Sequence, residues 1–561
     1  MPLAPNKKTE DLDVVVIGAG LSGLYAVYRL RQLGLRMRAY DQASDVGGTW
    51  WWNRYPGARV DSPGAPFYGY TFSDELAREW DWKDTQPAQT EILAYLRHVA
   101  DRFNLRKDIQ LNTKITVAEW EGSKDSWRLT TSRDEVIQAR FLISAAGTLS
   151  ASFLPNIPGA PEFAGEVVHT GHWPEAGLSF ADKRVGVIGT GSSGVQVIPF
   201  IAREASEVVV FQRTPQYVIP GRNQPIDQDF ASATKRNWPE HRDRIQATGR
   251  PFPTSTLRAV DVTRQEREAA YEEAWRRGGL GLALTFTDHM TDPVANGFIA
   301  EFVRSKIAAI VADPDIAEKL MPTFLFGGKR LILGEGYYET FNLQHVKLVD
   351  LRTDPIDRIE ASCVRTQANS FPVDTLVYAT GYDALTGAIL RLDPIGQEGS
   401  LRRKWRDGVT TYLGLGVRGF PNMFMIHGPQ TPSVKYHMGL GAEKQVDWIA
   451  NLIIWMRQKS LDAVQPGPEM EAAWAEEVRS IANKTLFPLT DSWFSGANIP
   501  GKPREFMIHL DGPGYHQQLA QLAAANYPGF QFRGPLTACG KSIDDERGGR
   551  GPQETADTEY R

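Results

Sequence analysis

The chain has 561 residues, 42% apolar and 23% charged, with a net charge of −5. That is a globular composition, too long for one core and long enough for roughly three or four domains. The slight acidic excess argues against a nucleic-acid or anionic-membrane surface, since tracking phosphates takes a basic excess. Cys363 and Cys539 are too few for a disulfide framework or a thiolate metal site. The opening MPLAPNKKTEDLD lacks the apolar core of a signal peptide, and no apolar run reaches about 18 residues. A reducing, aqueous, cytoplasmic setting is therefore expected.

Asp13–Ile17 is a β-branched run of the kind buried in parallel sheets. It enters Gly18-Ala19-Gly20-Leu21-Ser22-Gly23 and then a helical pattern through Leu33. Gly18 permits the tight turn, Gly20 leaves room for a pyrophosphate, and Gly23 lets helix and strand pack closely. A second strand, Arg36–Tyr40, ends at Asp41, 18 residues past Gly23, where a carboxylate can accept from a ribose hydroxyl and would repel a 2′-phosphate. The site suits FAD or NAD(H). Leu142–Gly147 reads as a further strand end of small residues beside it.

The arrangement repeats at Arg184–Ile188, followed by Gly189-Thr190-Gly191-Ser192-Ser193-Gly194 and a helix. Here the next strand, Glu207–Gln212, ends at Arg213-Thr214, with Arg213 19 residues past Gly194. A guanidinium in place of a carboxylate can pair with a 2′-phosphate, so this site reads as NADPH. Between the two lies FAGEVVHTGHWP, with Phe163, Gly165, His169, Trp173 and Pro174 at fixed gaps. His169 and His172 have no acidic or cysteine partners in sequence, so no metal is expected.

From Ile219 to Thr323 the pattern is helical and polar, including Arg264–Arg277 and Ala295–Asp313, and reads as a helical insertion. Strand character returns at Arg330–Leu333 and Asp374–Ala379, before Thr380-Gly381-Tyr382. Met423–Met425 leads to a loop, Gln430 to Gly439, and then a helix from Gly441 to Gln458 that buries Val446, Ile449, Leu452, Ile453 and Met456.

The 163–174 stretch, GGTW at 47–50, RYPGARVD at 54–61, GKR at 328–330, ATGY at 379–382 and SWFSGANIPGKPR at 492–504 together resemble the type I Baeyer–Villiger monooxygenases, over residues 12 to 510. The resemblance implies an α/β protein with two Rossmann-like domains. FAD would bind residues 1–150 and 385–540, NADPH residues 151–218 and 329–384, around a helical insertion at 219–328; the charged, glycine-rich composition of 541–561, beyond the resemblance, predicts a disordered tail. It places Gly48, Thr49, Trp50, Arg59 and Asp61 over the isoalloxazine. Arg330, oriented by Asp61, would stabilise the flavin peroxide and the nicotinamide, and Lys329 would join Arg213 at the 2′-phosphate. His169 becomes a linker between domains, Trp493 a lid residue reaching the cofactor, and Ser433, Val434, Tyr436 and Met438 the substrate loop. Asp41 is a mild departure from the more usual Glu, and the run after Asp61 carries one extra residue, which leaves Tyr68 and Tyr70 unassigned.

The implied reaction uses NADPH and dioxygen to turn a ketone into an ester or lactone, with the motifs nearest the branch acting on aryl and bulky cyclic ketones. The alternatives are S- or N-oxygenation and, in another class, a nucleotide sensor without catalysis.

Overall fold

A computed structural model describes residues 10–250 and 255–534. The tail at 541–561 and Cys539 lie outside the described residues.

Two sheets, the first mixed and the second all parallel, organise the chain, each built around one fingerprint. In the first, the strand Glu10–Ile17 lies between Met37–Tyr40 and Val136–Ser144, in register Ile17 to Tyr40 and Ile17 to Ser144. Val136–Ser144 is shared along its other edge. Its first half pairs antiparallel with Ser126–Thr131, while Met423–Met425 runs parallel to Leu142–Ser144. The late return of the chain to this sheet is thus carried by three residues, all buried.

The second sheet is all parallel, in the order Val346–Asp350, Glu207–Gln212, Arg184–Ile188, Thr375–Tyr378, Glu166–His169. Its inner strands are apolar because both faces are covered, with Val185, Val187, Val208, Val210 and Leu376 fully buried. The fingerprint strand Glu166–His169 forms its edge, with His169 opposite Tyr378.

The helical insertion is present as Gln228–Arg236, Trp238–Thr248, Arg264–Arg277, Pro293–Ile310 and Pro314–Leu320. It lies between two short strands, Val218–Pro220 and Ile332–Gly334, that pair with each other in parallel. Arg264–Arg277 starts on a capping box, Thr263 with Glu266, which accounts for its sharp onset. The expected helix Ala295–Asp313 starts two residues earlier, on an Asp292 cap, and stops at Ile310 before a new Asp313-Pro314 start.

The expected helix from Gly441 begins instead at Met438, because His437 caps it. The His437 Nδ1 accepts from the Leu440 N–H at 2.8 Å, so Met438 belongs to the helix and not to the loop. The predicted face Val446, Ile449, Leu452, Ile453 and Met456 is buried, and Asp447 on the same helix accepts from Arg29 Nε at 2.8 Å on the first fingerprint helix. Each of those apolar side chains contributes about 1.5–3 kcal/mol relative to exposure. The first fingerprint helix is thereby fixed from behind.

Candidate active site

Both glycine turns sit at carboxyl ends of central parallel strands, and their constraints match. Gly18 has φ +106° and Gly189 has φ +107°. A Cβ on Gly18 would lie 2.5 Å from the Ala145 carbonyl oxygen, and one on Gly189 2.6 Å from that of Ala379. On Gly23 it would stand 1.9 Å from the Gly18 oxygen, and on Gly194 2.3 Å from the Gly189 oxygen. Neither following helix, Leu21–Gln32 or Ser192–Ile201, has a side-chain cap, which leaves first-turn N–H groups for phosphate oxygens.

Asp41 is buried at the end of its strand. Its two oxygens accept from the Ala19 N–H at 2.7 Å and the Ala43 N–H at 2.8 Å. Burial nevertheless raises its pKa above the ordinary carboxylate value, against the pull of those bonds. A carboxylate oxygen has a second lone pair, so the side chain can brace the glycine turn and still accept from a ribose hydroxyl.

Arg213 is exposed and has no hydrogen-bond or ion-pair partner among the described residues. Lys329 stands close enough to feel it: burial lowers the lysine pKa, Asp491 pulls it back, and Arg213 pushes it down a little further. The Lys329 ammonium donates to the Asp491 carbonyl. Thr214 contributes its carbonyl, which accepts from the Thr190 hydroxyl at 3.1 Å and fastens the second strand end to the turn.

One cavity runs from Gly18, Gly20 and Asp41, past Gly48, Thr49 and Trp50, to Asp61, Arg330, Val434, Tyr436 and Met438. Ser192 and Gln196 line it from the other sheet. At its far end Arg330 Nε and Nη2 donate to one Asp61 oxygen, at 3.0 and 2.5 Å. The remaining nitrogen, Nη1, reaches the Val434 carbonyl at 3.5 Å. With 31% of its side chain exposed, the guanidinium keeps an open side as well as its counter-charge.

RYPGARVD works across the boundary between the two sheets. Gly57, at φ +83°, admits the helix Ser192–Ile201: a Cβ there would lie 2.4 Å from the Phe200 ring and 2.6 Å from the Gln196 carbonyl oxygen. The Tyr55 hydroxyl donates to the Gln196 side-chain oxygen at 2.8 Å, and the Gln196 amide donates to the Arg59 carbonyl at 3.1 Å. Arg59 lines the cavity, and its guanidinium is anchored by the Gln86 carbonyl, at 2.5 Å, and Asp84, at 3.2 Å. Sequence reasoning missed Gln196, which its helical position left anonymous.

In the 163–174 stretch, Gly165 is enforced by the Asp374 carbonyl oxygen, 2.3 Å from a Cβ there, and by the Phe163 ring. Trp173 is buried between Tyr55 and Phe180, while Pro174 is exposed beyond it. His169 accepts the Gly171 N–H on Nδ1 at 2.9 Å, and burial pushes its ring down to about 4, so it is neutral. His172 instead meets the Ser152 hydroxyl at 3.0 Å. Among the described residues no cluster of His, Cys, Asp or Glu could hold a metal.

Trp493 is placed differently from expectation. It is absent from the cavity wall and packs edge-on against Phe494, ring centroids 4.5 Å apart, in a short turn capped by Ser492. Phe494 is the ring driven inward, with no exposure, which holds Trp493 to one side. Ser433 (φ +41°) likewise lies off the cavity, its hydroxyl buried without a partner among the described residues. Tyr68, left unassigned by the extra residue, does line the cavity, and its hydroxyl accepts from Trp50 Nε1 at 2.9 Å. Tyr70 points away and donates to the Leu21 carbonyl at 2.5 Å. Phe67 and His437 complete the wall: His437 Nε2 meets the Phe67 carbonyl, and the two rings stand edge to face.

Comparison with known proteins bears on these features. A family model described as flavin-binding monooxygenase-like matches residues 11–228. A Baeyer–Villiger monooxygenase of Pseudooceanicola batsensis is 42% identical, over 93% of this chain and 97% of that protein. Phenazine N-monooxygenase PhzNO1 of Lysobacter antibioticus is 41% identical, over 94% and 97%. Among solved structures, an oxidised steroid monooxygenase bound to NADP superimposes with a TM-score of 0.88 at 43% identity, covering 93% of this chain and 99% of that one. No helix among the described residues is long and apolar enough to cross a membrane. The chain belongs to the FAD- and NADPH-dependent type I Baeyer–Villiger monooxygenases.

Proposed function

We propose that the Arg330–Asp61 end of the cavity is where oxygen is inserted beside the carbonyl of a bulky cyclic or aryl ketone, giving a lactone or ester. The observation that carries this is the pairing itself. A permanently charged guanidinium, oriented by two bonds to one carboxylate oxygen and by the Val434 carbonyl, lies open to the cavity. Bound FAD, reduced by NADPH, supplies the activated dioxygen. Arg330 then presents a fixed positive charge where negative charge develops on oxygen, and cannot readily give up a proton to it. Asp61 keeps that charge in place and offsets the cost of burying it.

The other assignments follow the same logic. Gly18, Gly20, Gly23, Asp41, Gly48, Thr49 and Trp50 would hold FAD, with Arg59 acting through its backbone at the interface. Gly189 to Gly194, Arg213 and Lys329 would hold NADPH, the two cations sharing the 2′-phosphate. Val434, Tyr436 and Met438, with Phe67 and Tyr68, would shape the ketone pocket. In this reading the lobes divide at residues 151, 219, 329 and 385, and the protein works in the cytoplasm.

A second reading has one specific support. The 41% identical phenazine N-monooxygenase shows that N-oxygenation occurs on a chain this similar. One experiment separates them: purified holoenzyme with NADPH, isotopically labelled dioxygen, a panel of ketones, a thioether and a heteroaromatic amine, read by mass spectrometry. Label in an ester or lactone supports the ketone reading, with cyclic and aryl ketones expected to exceed short linear ones. Label confined to an N-oxide or sulfoxide overturns it.

A further inference from the structure

Lys435 stands beside the Arg330–Asp61 pair, in the turn Ser433–Lys435, yet is not part of the cavity wall. Its ammonium lies 4.4 Å from the Phe487 ring centroid and 4.9 Å from that of Phe494. Phe487 lies in the segment that leads into the 492–504 motif and Phe494 within that motif. Among the described residues the ammonium has no hydrogen-bond or ion-pair partner, and two aromatic rings lie within 5 Å of it. Its neighbour Val434 supplies the carbonyl that Arg330 Nη1 reaches.

We propose that Lys435 is a positioning residue: its ammonium, clasped by Phe487 and Phe494, fixes the 433–435 turn so that the Val434 carbonyl meets Arg330, and so couples the seating of the 487–494 segment to the orientation of the Arg330–Asp61 pair. This rests on the reading of Arg330 given above.

A cation over an aromatic face is attracted by the ring quadrupole, and more strongly when water is displaced. An uncharged side chain of the same length would pack there but would not be held by both rings. The charged groups that act on Lys435 are Arg330 and Arg250, which oppose its charge, and Asp61, which favours it. Burial is the largest influence, and together these push the amine down to about 7. The clasp therefore weakens as pH rises through neutrality. A guanidinium at the same place would stack on the rings and stay charged.

The test compares the wild-type holoenzyme with Lys435→Met and Lys435→Arg, in the presence of NADP+. Hydrogen exchange of residues 487–494 is expected to quicken roughly three- to tenfold in Lys435→Met, the factor for losing one or two such contacts. Corrected for the intrinsic rise of amide exchange with pH, wild type should move toward the Lys435→Met rate between pH 6 and 9, and Lys435→Arg should stay slow throughout. In turnover, the fraction of NADPH oxidation that ends in oxygenated product should follow the same order, with KM for NADPH unchanged. Should Lys435→Met fail to hold flavin, Phe487→Leu replaces it and should weaken the clasp in the same direction. Equal exchange rates and flat pH profiles in all variants would overturn the proposal. The exchange readout needs no oxygenated product, so it still decides the role of Lys435 if the Arg330 reading fails.

Discussion

The two nucleotide turns are near copies in backbone and differ in what surrounds them. Each turn's first N–H donates to a carbonyl near the end of the neighbouring strand, Gly18 to Tyr40, its last residue, at 2.8 Å and Gly189 to Phe211, the last but one, at 3.0 Å. The middle glycines part company. A Cβ on Gly20 would come 3.2 Å from Gly48 Cα, because the 47–50 loop crosses over the first turn, whereas one on Gly191 would meet nothing within 4 Å. The acid of the first site is buried and braced by two N–H groups, while the arginine of the second is exposed and unengaged. One turn has been built into a closed socket and the other left as an open berth. That suits a cofactor that stays and a cosubstrate that comes and goes.

The largest way to break the comparison is at the shared turn. Gly23→Ala places a Cβ on a backbone oxygen and should cost more than about 3 kcal/mol, giving little flavin-loaded protein on purification. A soluble, yellow Gly23→Ala protein of normal melting temperature would contradict the packing described.

Next comes the residue that both sites serve. Arg330→Ala should retain flavin and still accept hydride, but lose oxygenated product by roughly 10²–10³-fold, the scale of one preorganised charge-stabilising group. Full product yield would remove Arg330 from its role.

A third test concerns the closed side alone. Glu443, under the FAD turn, is buried and accepts from the Thr71 N–H at 2.6 Å. Burial pushes its carboxyl up to about 7. A folded pKa above the unfolded one stabilises fully below the unfolded value and is lost as pH rises through the folded one. Relative to Glu443→Gln, wild type should therefore lose on the order of 3 kcal/mol between pH 4 and 7. Melting temperatures at pH 5 and 8 check it, and a constant difference between the two proteins would refute it.

On the open side, Arg213→Ala should weaken NADPH binding by roughly 1.5–3 kcal/mol and leave NADH nearly unchanged, by titration. Equal losses would contradict the 2′-phosphate assignment. The smallest effect sharpens the contrast: Gly191→Ala should leave the ligand-free melting temperature within the change of about 0.5 kcal/mol typical of unconstrained sites, yet lower NADPH affinity.

Much of this was legible in the chain because local rules governed it. Strand, glycine turn and helix recur twice, and the charge ending each second strand separates Asp41 from Arg213 without any tertiary information. The capping box at Thr263 fixes the start of the helix Arg264–Arg277. What escaped reading depends on contacts distant in sequence. Gln196 acts only because Gly57 lets its helix approach, and Met438 joins a helix because a histidine, not a Ser or Asp, caps it. Trp493 illustrates the limit from the other side. A motif can indicate that an aromatic pair belongs near the site, but which ring turns inward is decided by packing, and here it is Phe494.

The Arg330–Asp61 bond has a final consequence. Asp61 hangs from the chain that follows the first glycine turn, and Arg330 from the loop that leaves the helical insertion, two residues before the strand Ile332–Gly334 and not within it as the sequence pattern suggests; the two are 269 positions apart. The bond is consequently an interlock. Any separation of the two segments would break this bond and free the guanidinium, so under the proposed role of Arg330 the cavity's organised charge depends on their staying docked. Hydrogen peroxide released without product would then measure timing, the share of each cycle in which reduction has outrun docking. Changes at Gly57 or Gln196, far from the ketone, should appear in that ratio before they appear in any binding constant.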